Sequence, residues 1–230
     1  MAITFVSSTS ATIGTSASTW SIQMPATLTG GAGLVLGMGP ASSAVPISGV
    51  SDNTTNVWRS AVQVVGTRTV SAALWYASNI SSASTRVSVT LSGASSGSLA
   101  LGQWTGLSTK NALLETGSSA ITANSTSHSA AQILPSTTNG LVVSFCRLNA
   151  STLGTITNLG GMTAWTSTSA TGVVRTHGLY IIQSAASTAT GSFTTSSNAQ
   201  HSAVIAAFSD TAAPRGGKKG LRLTLAGAGW

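Results

Sequence analysis

The 230-residue chain is expected to fold as an all-β, jelly-roll-like sandwich of two sheets with a short basic C-terminal extension. Three observations carry that expectation. Charged helix formers are scarce: ten Lys and Arg and three Asp and Glu stand against 39 Ser, 34 Thr and 25 Gly. Apolar residues come in short bursts divided by Ser, Gly, Asn or Pro. The stretches between the bursts have no helical period, which argues against a parallel α/β sheet.

Taken in order, strands are predicted over 2–8, 19–23, 33–38, 44–50, 57–65 and 69–77. "RVSVTL" follows at 86–91, with Val87, Val89 and Leu91 on one face and Arg86, Ser88 and Thr90 on the other, the mark of a half-buried strand. Further strands are expected at 98–104, 119–123 and 130–134, then 173–182 and 190–195. "GLVVSF" (140–145) and "SAVIAAF" (202–208) are apolar on both faces and read as central strands. So many short strands with turn signals between them fit a sandwich or barrel. No repeat of fixed period is visible, so neither a propeller nor a solenoid is expected.

Composition shifts once, at Asp210–Pro214, which divides a β-sandwich domain (1–210) from a basic attachment tail (211–230). Residues 1–210 hold six cations and three anions, whereas the tail holds four cations and no anion, so over half of the +7 net charge sits there. In the tail Leu221, Leu223 and Leu225 alternate with Arg222 and Thr224, after Arg215, Lys218 and Lys219 and before Trp230. A lone five-residue strand is not stable in water and needs a sheet edge to join. The tail is therefore expected to bind a partner through Arg215, Lys218, Lys219, Leu221, Arg222, Leu223, Leu225 and Trp230. Nucleic acid is disfavoured, because the domain has no basic stripe and the tail no interleaved aromatics.

Cys146 is alone, in the apolar run "LVVSFC", and reads as a buried inert thiol. The N-terminus lacks the basic and apolar regions of a signal peptide, and no run approaches 18 apolar residues, so cytoplasmic synthesis and no membrane partner are expected.

No enzyme is expected. Only Asp52, Glu115 and Asp210 bear carboxylates: Asp52 reads as a turn former, Glu115 as an exposed loop residue, and Asp210 as a strand end. "GASSG" (93–97) matches a nucleophile-elbow pattern at Ser95, but no helix follows it, and the match is uninformative in so Ser- and Gly-rich a chain. His128, His177 and His201 have no metal-ligand spacing, and His177 and His201 read as strand-end residues. "GGKKG" lacks the spacing of a phosphate-binding loop. No catalytic, metal-binding or cofactor-binding residue is assigned. Most of the six Trp are expected to fill the core. In "LWYAS" (74–78), Trp75 and Tyr76 cannot share one strand face, so one of them should lie near solvent and mark a possible recognition surface.

The runs "LWYASNISSASTRVSVTLSG", "SLALGQWTGLS", "LPSTTNGLVVSF" and "TATGSFTTSSNAQHSAVIAAF" resemble a family of Ser/Thr/Gly-rich β-sandwich domains among the structural proteins of tailed bacteriophages. The resemblance covers about residues 1–209 and rests on texture and strand order. It implies a non-enzymatic virion component: a capsid decoration (cement) protein, head fibre or tail-associated domain. Its implied partners are a capsid or other virion protein and sister subunits in a homo-oligomer. A carbohydrate-binding adhesion module that takes a host glycan on exposed Trp or Tyr is the alternative. The basic tail lies outside the resemblance. A nearly uncharged, disulfide-free sandwich suits such a particle, because few of its contacts are screened by salt or lost with pH.

Overall fold

The computed structural model describes residues 2–24, 28–42, 45–65, 71–110, 112–135, 139–150, 154–169 and 175–210, and among these the chain is all-β. The strands are β1 (Thr4–Gln23), β2 (Gly33–Pro40), β3 (Ile47–Asp52), β4 (Arg59–Val65), β5 (Ser71–Ala77) and β6 (Arg86–Thr105). A second set follows: β7 (Leu113–His128), β8 (Gly140–Asn149), β9 (Ile156–Asn158), β10 (Thr163–Ser169), β11 (Arg175–Gln183) and β12 (Phe193–Phe208). They form two antiparallel sheets packed face to face, which is the expected sandwich.

The sheets are built alike. The first runs β1-β6-β2-β5-β4 with β3 also on β6; the second runs β7-β12-β8-β11-β10 with β9 also on β12. The likeness extends to single residue pairs. Phe5, Ile13, Ala17 and Trp20 pair with Trp104, Gly97, Ser95 and Val89. Leu113, Ile121, Ser125 and His128 pair with Phe208, His201, Ala199 and Phe193 in the same sequence. The β-bulge at Val6 returns at Leu114, and the shift between Ser60 and Val62 returns between Ala164 and Thr166. At the centre Val35 pairs with Tyr76, and Val143 with Tyr180. The chain is thus an internal duplication, with β1–β6 the first repeat and β7–β12 the second.

Three cores result. Between the sheets, Val35, Leu74, Tyr76 and Trp104 meet Val143, Phe145, Trp165 and Phe208. Each sheet also has an outer core, because its longest strands continue past their bulges over its back. Trp20, Val87 and Val89 thereby join Leu36, Leu99 and Leu101. In the second repeat Phe193 and Ala199 join Val142, Ala203 and Ile205. Every fully buried Leu, Val or Phe contributes about 1.5–3 kcal/mol. With both faces covered, the central strands read as unbroken apolar runs.

Across the sandwich β1 packs on β10 and β4 on β7, as an approximate two-fold relation requires. On that relation β2 meets β8, so equivalent positions face each other, and they differ in size. A Cβ on Gly37 would fall 2.3 Å from the Phe145 ring, and one on Gly39 would fall 2.8 Å from Arg147. Glycine in the first repeat makes room for the large side chain in the second.

The repeats are joined at a seam. Leu107 bridges Asp210, Ser108 N–H donates to the Ser209 carbonyl (2.9 Å), and Ser209 N–H donates to that of Ala112 (2.7 Å). Gly106, at φ +79°, lies so close to the chain start that a Cβ on it would sit 2.4 Å from the Ala2 carbonyl oxygen.

Several strands are longer than expected. Segments 2–8 and 19–23 belong to one strand, as do 86–91 and 98–104, and 190–195 and 202–208. The Ser- and Gly-rich stretches between them are strand as well, with hydroxyl residues on their exposed positions. Residues 130–134 form no strand; they hold on through the Ile133–Ala189 bridge and an Ala130 N–H bond to the Thr190 carbonyl (3.0 Å).

Candidate functional site

One concave feature of the first repeat is organised by a single carboxylate. Asp52, at the end of β3, accepts hydrogen bonds from the Thr54 N–H (2.9 Å) and hydroxyl (2.8 Å), the Asn56 amide (2.8 Å) and the Trp58 indole (3.0 Å). Burial pushes its carboxyl up, but the bonds from Asn56, Trp58 and Thr54 outweigh this and hold it below its ordinary value. The turn expected at Asp52 is therefore present, with a buried Trp58 as its anchor. Asn56 in turn accepts from Ser81 N–H (2.9 Å), which ties the loop to the segment after β5.

Between these two segments lies a cleft of about 520 Å³, lined by Thr55, Asn56, Val57, Arg59, Ser78, Asn79, Ile80, Ser81 and Thr109. Arg59 and Asn79 are exposed, Val57 is 64% exposed, and Asn79 has φ 57°. Hydroxyls, an amide and one guanidinium can donate to the oxygens of a polyhydroxyl or anionic ligand. The second repeat has a smaller hollow of about 110 Å³ at the matching place, beside Leu159, Met162 and Gln183.

Of the expected recognition pair, Trp75 is the one nearer solvent, half-buried against the outer core of the first repeat. Its indole Nε1 is buried without a hydrogen-bond partner. Tyr76 points between the sheets, 7% exposed and edge-on to Phe208. The expected tail contacts, Arg215 to Trp230, lie outside the described residues. Trp20, Trp58, Trp104 and Trp165 are buried, as expected.

The groups that a hydrolase would recruit are engaged in the fold. Glu115 is in β7, not in a loop; half-buried, it accepts from Leu134 N–H (3.0 Å). Asp210 is buried at the seam. Ser95 lies inside β6, where its hydroxyl donates to the Ser96 carbonyl and accepts from Ser42 N–H (3.1 Å). Cys146 is buried, and burial pushes its thiol up. Arg147 is buried too, and burial lowers it to about 10. All three histidines are buried. His201 stands in the middle of β12 rather than at a strand end, because β12 begins at Phe193. Sequence reasoning assigned the histidines no role and did not single out Asn56, Arg59 or Asn79; loop polarity was their only signal.

Fold and site together define an internally duplicated β-sandwich with a polar surface cleft. No family model, curated protein or solved structure matches the chain.

Proposed function

We propose that the protein is a non-enzymatic structural component of a phage-like particle, a capsid decoration or spike protein held through its tail, residues 211–230. The observation that carries this reading is the duplicated sandwich itself. Asp52 and Glu115 bond to backbone and loop groups, so these two carboxylates serve as framework. The resemblance to virion β-sandwich domains and the alternating basic tail add to it. Partners are a capsid or other virion protein and sister subunits, met after assembly in a host cytoplasm. Deletion of residues 214–230 is expected to leave the domain folded and abolish particle attachment; wild-type occupancy by the truncated protein would overturn the reading.

The second reading, a glycan-binding adhesion module, is favoured by the cleft rather than by the Trp75–Tyr76 pair, since Tyr76 lies in the core. Its test is a glycan array with Arg59→Ala, Asn79→Ala and Trp75→Ala variants. Binding lost in the first two and kept in the third places the glycan in the cleft, and the absence of binding in the wild type removes this reading.

A further inference from the structure

All three histidines lie in the outer core of the second repeat, around Phe193. The Phe193 ring centroid is 5.1 Å from that of His128 and 4.8 Å from that of His177, and His128 and His201 are 5.0 Å apart at 87°. The first repeat is an internal control. By strand register His128 corresponds to Trp20, His201 to Gly97, Phe193 to Val89, Thr195 to Leu91 and His177 to Ala73. There the Trp20 ring covers Gly97, where a Cβ would fall 2.4 Å from the indole, and Trp20 Nε1–H donates to the Ser95 carbonyl (3.0 Å). The fold closes this site with hydrocarbon and one indole, so it does not require the histidines.

The hydrogen bonds of the pair form a chain with a carbonyl at each end. Its links are Ser197 O to Thr195 Oγ1 (2.7 Å), Thr195 Oγ1 to His128 Nε2 (2.9 Å), His128 Nδ1 to His201 Nδ1 (3.1 Å) and His201 Nε2 to Ser129 O (3.2 Å). Each of the four links needs one proton, and both terminal oxygens only accept. A threonine and two neutral imidazoles bring three. With the outer links made, His128 donates from Nε2 and two bare Nδ1 lone pairs confront each other at 3.1 Å. That separation is an ordinary N–H···N hydrogen-bond distance, and a proton there completes the chain without movement.

We infer that the His128–His201 pair is a built proton-binding site, which takes up one proton between the two Nδ1 atoms on acidification and refuses a second. A second proton would set two N–H groups head-on and two positive charges side by side. A metal ion fits less well, because no group of three His, Cys, Asp or Glu side chains converges among the described residues.

The surroundings set the sign. Arg175 of β11 lies two strands away in the same row as His201, His177 of the same strand lies beyond Phe193, and Cys146 of β8 pairs with both Ala203 and His177. Glu115 of β7 pairs with Ala207, well along β12 from His201. Burial lowers all three histidines, and the His201 charge lowers His128 further, to about 4. The bond to the Ser129 carbonyl acts the other way on His201, so the pair fills through His201.

The test is a titration of the full chain, 15N-labelled at histidine, followed by imidazole nitrogen shifts. Expected is one proton taken up jointly, with the His128 and His201 Nδ1 signals moving together and apart from His177. The double variant His128→Trp/His201→Gly, which installs the first repeat's residues, should lose that step and keep the His177 step. Two independent curves, each reaching a full cation, would overturn the inference. So would no uptake by either ring before unfolding, or stoichiometric zinc or copper(I) binding, with either metal added alone, that abolishes the step. If the double variant fails to fold, the wild-type titration decides.

Discussion

The Trp104 ring meets Tyr180 edge-on across the sandwich, with centroids 6.0 Å apart and planes at 71°, and Phe208 repeats the contact on Tyr76 at 5.3 Å and 62°. Trp104 and Phe208 are equivalent positions of β6 and β12, and Tyr76 and Tyr180 of β5 and β11. Each repeat lays its own β6 or β12 aromatic on the other repeat's tyrosine, as in an isologous dimer whose subunits share one chain.

Separated halves, residues 1–109 and 110–230, should therefore pair with each other and not with themselves. A pair of first halves would set Gly37 against Gly37 and leave a hole, and a pair of second halves would set Phe145 against Phe145. Size-exclusion chromatography should show a one-to-one complex on co-expression, and aggregated or insoluble protein when either half is made alone.

Gly37→Ala tests the same contact inside the intact chain. The added methyl has no room beside Phe145 and should cost about 1–3 kcal/mol, read as a lower urea midpoint. Phe145→Leu in the Gly37→Ala background should restore part of the loss.

Asp52→Asn should destabilise the loop by about 1–3 kcal/mol, because an amide cannot replace both acceptor oxygens for Thr54, Asn56 and Trp58. The native carboxyl lies below its ordinary value. Its contribution is thus present above the unfolded value near 3.8 and fades as pH falls through the lower folded one. Urea melts at pH 7 and pH 3 should show the gap between wild type and variant narrowing at the acid end.

His177 Nε2–H donates to the Asn158 Oδ1 (2.8 Å), while its Nδ1 is buried without a partner. Burial lowers it to about 4, whereas the unfolded residue protonates near 6.5. The unfolded chain then binds more protons between those values, so stability falls as pH drops from about 6.5 to about 4. His177→Ala, which installs the residue present at Ala73, should flatten that fall, as urea midpoints at pH 7, 5.5 and 4.5 would register.

Alternation and the absence of a helical period made the all-β class legible, and buried Trp residues and the Asp52 turn were legible in their immediate neighbours. The long strands were not. In β1 the run "SSTSATIGTSAS" reads as a breaker, yet it pairs with β6 because its small hydroxyl side chains tolerate the exposed positions of a strand. The duplication was hidden because equivalent residues differ so much in size, as Trp20 and His128 or Gly37 and Phe145 do. Tyr76 and Tyr180 are among the few that keep their identity. The histidine pair was out of reach for a different reason. Its two members are 73 residues apart and meet only through the register of β7 on β12.

The seam at Gly106 brings three distant parts of the chain to one spot: residue 2, the linker after β6, and Asp210. A short loop from Asp210 back to Ala2 would close the folded body into a ring, and a cut between Leu107 and Ala112 would reopen it. The resulting permuted chain would read the second repeat first while every strand kept its neighbours. For this sandwich, which repeat comes first is a matter of covalent wiring and leaves the architecture unchanged.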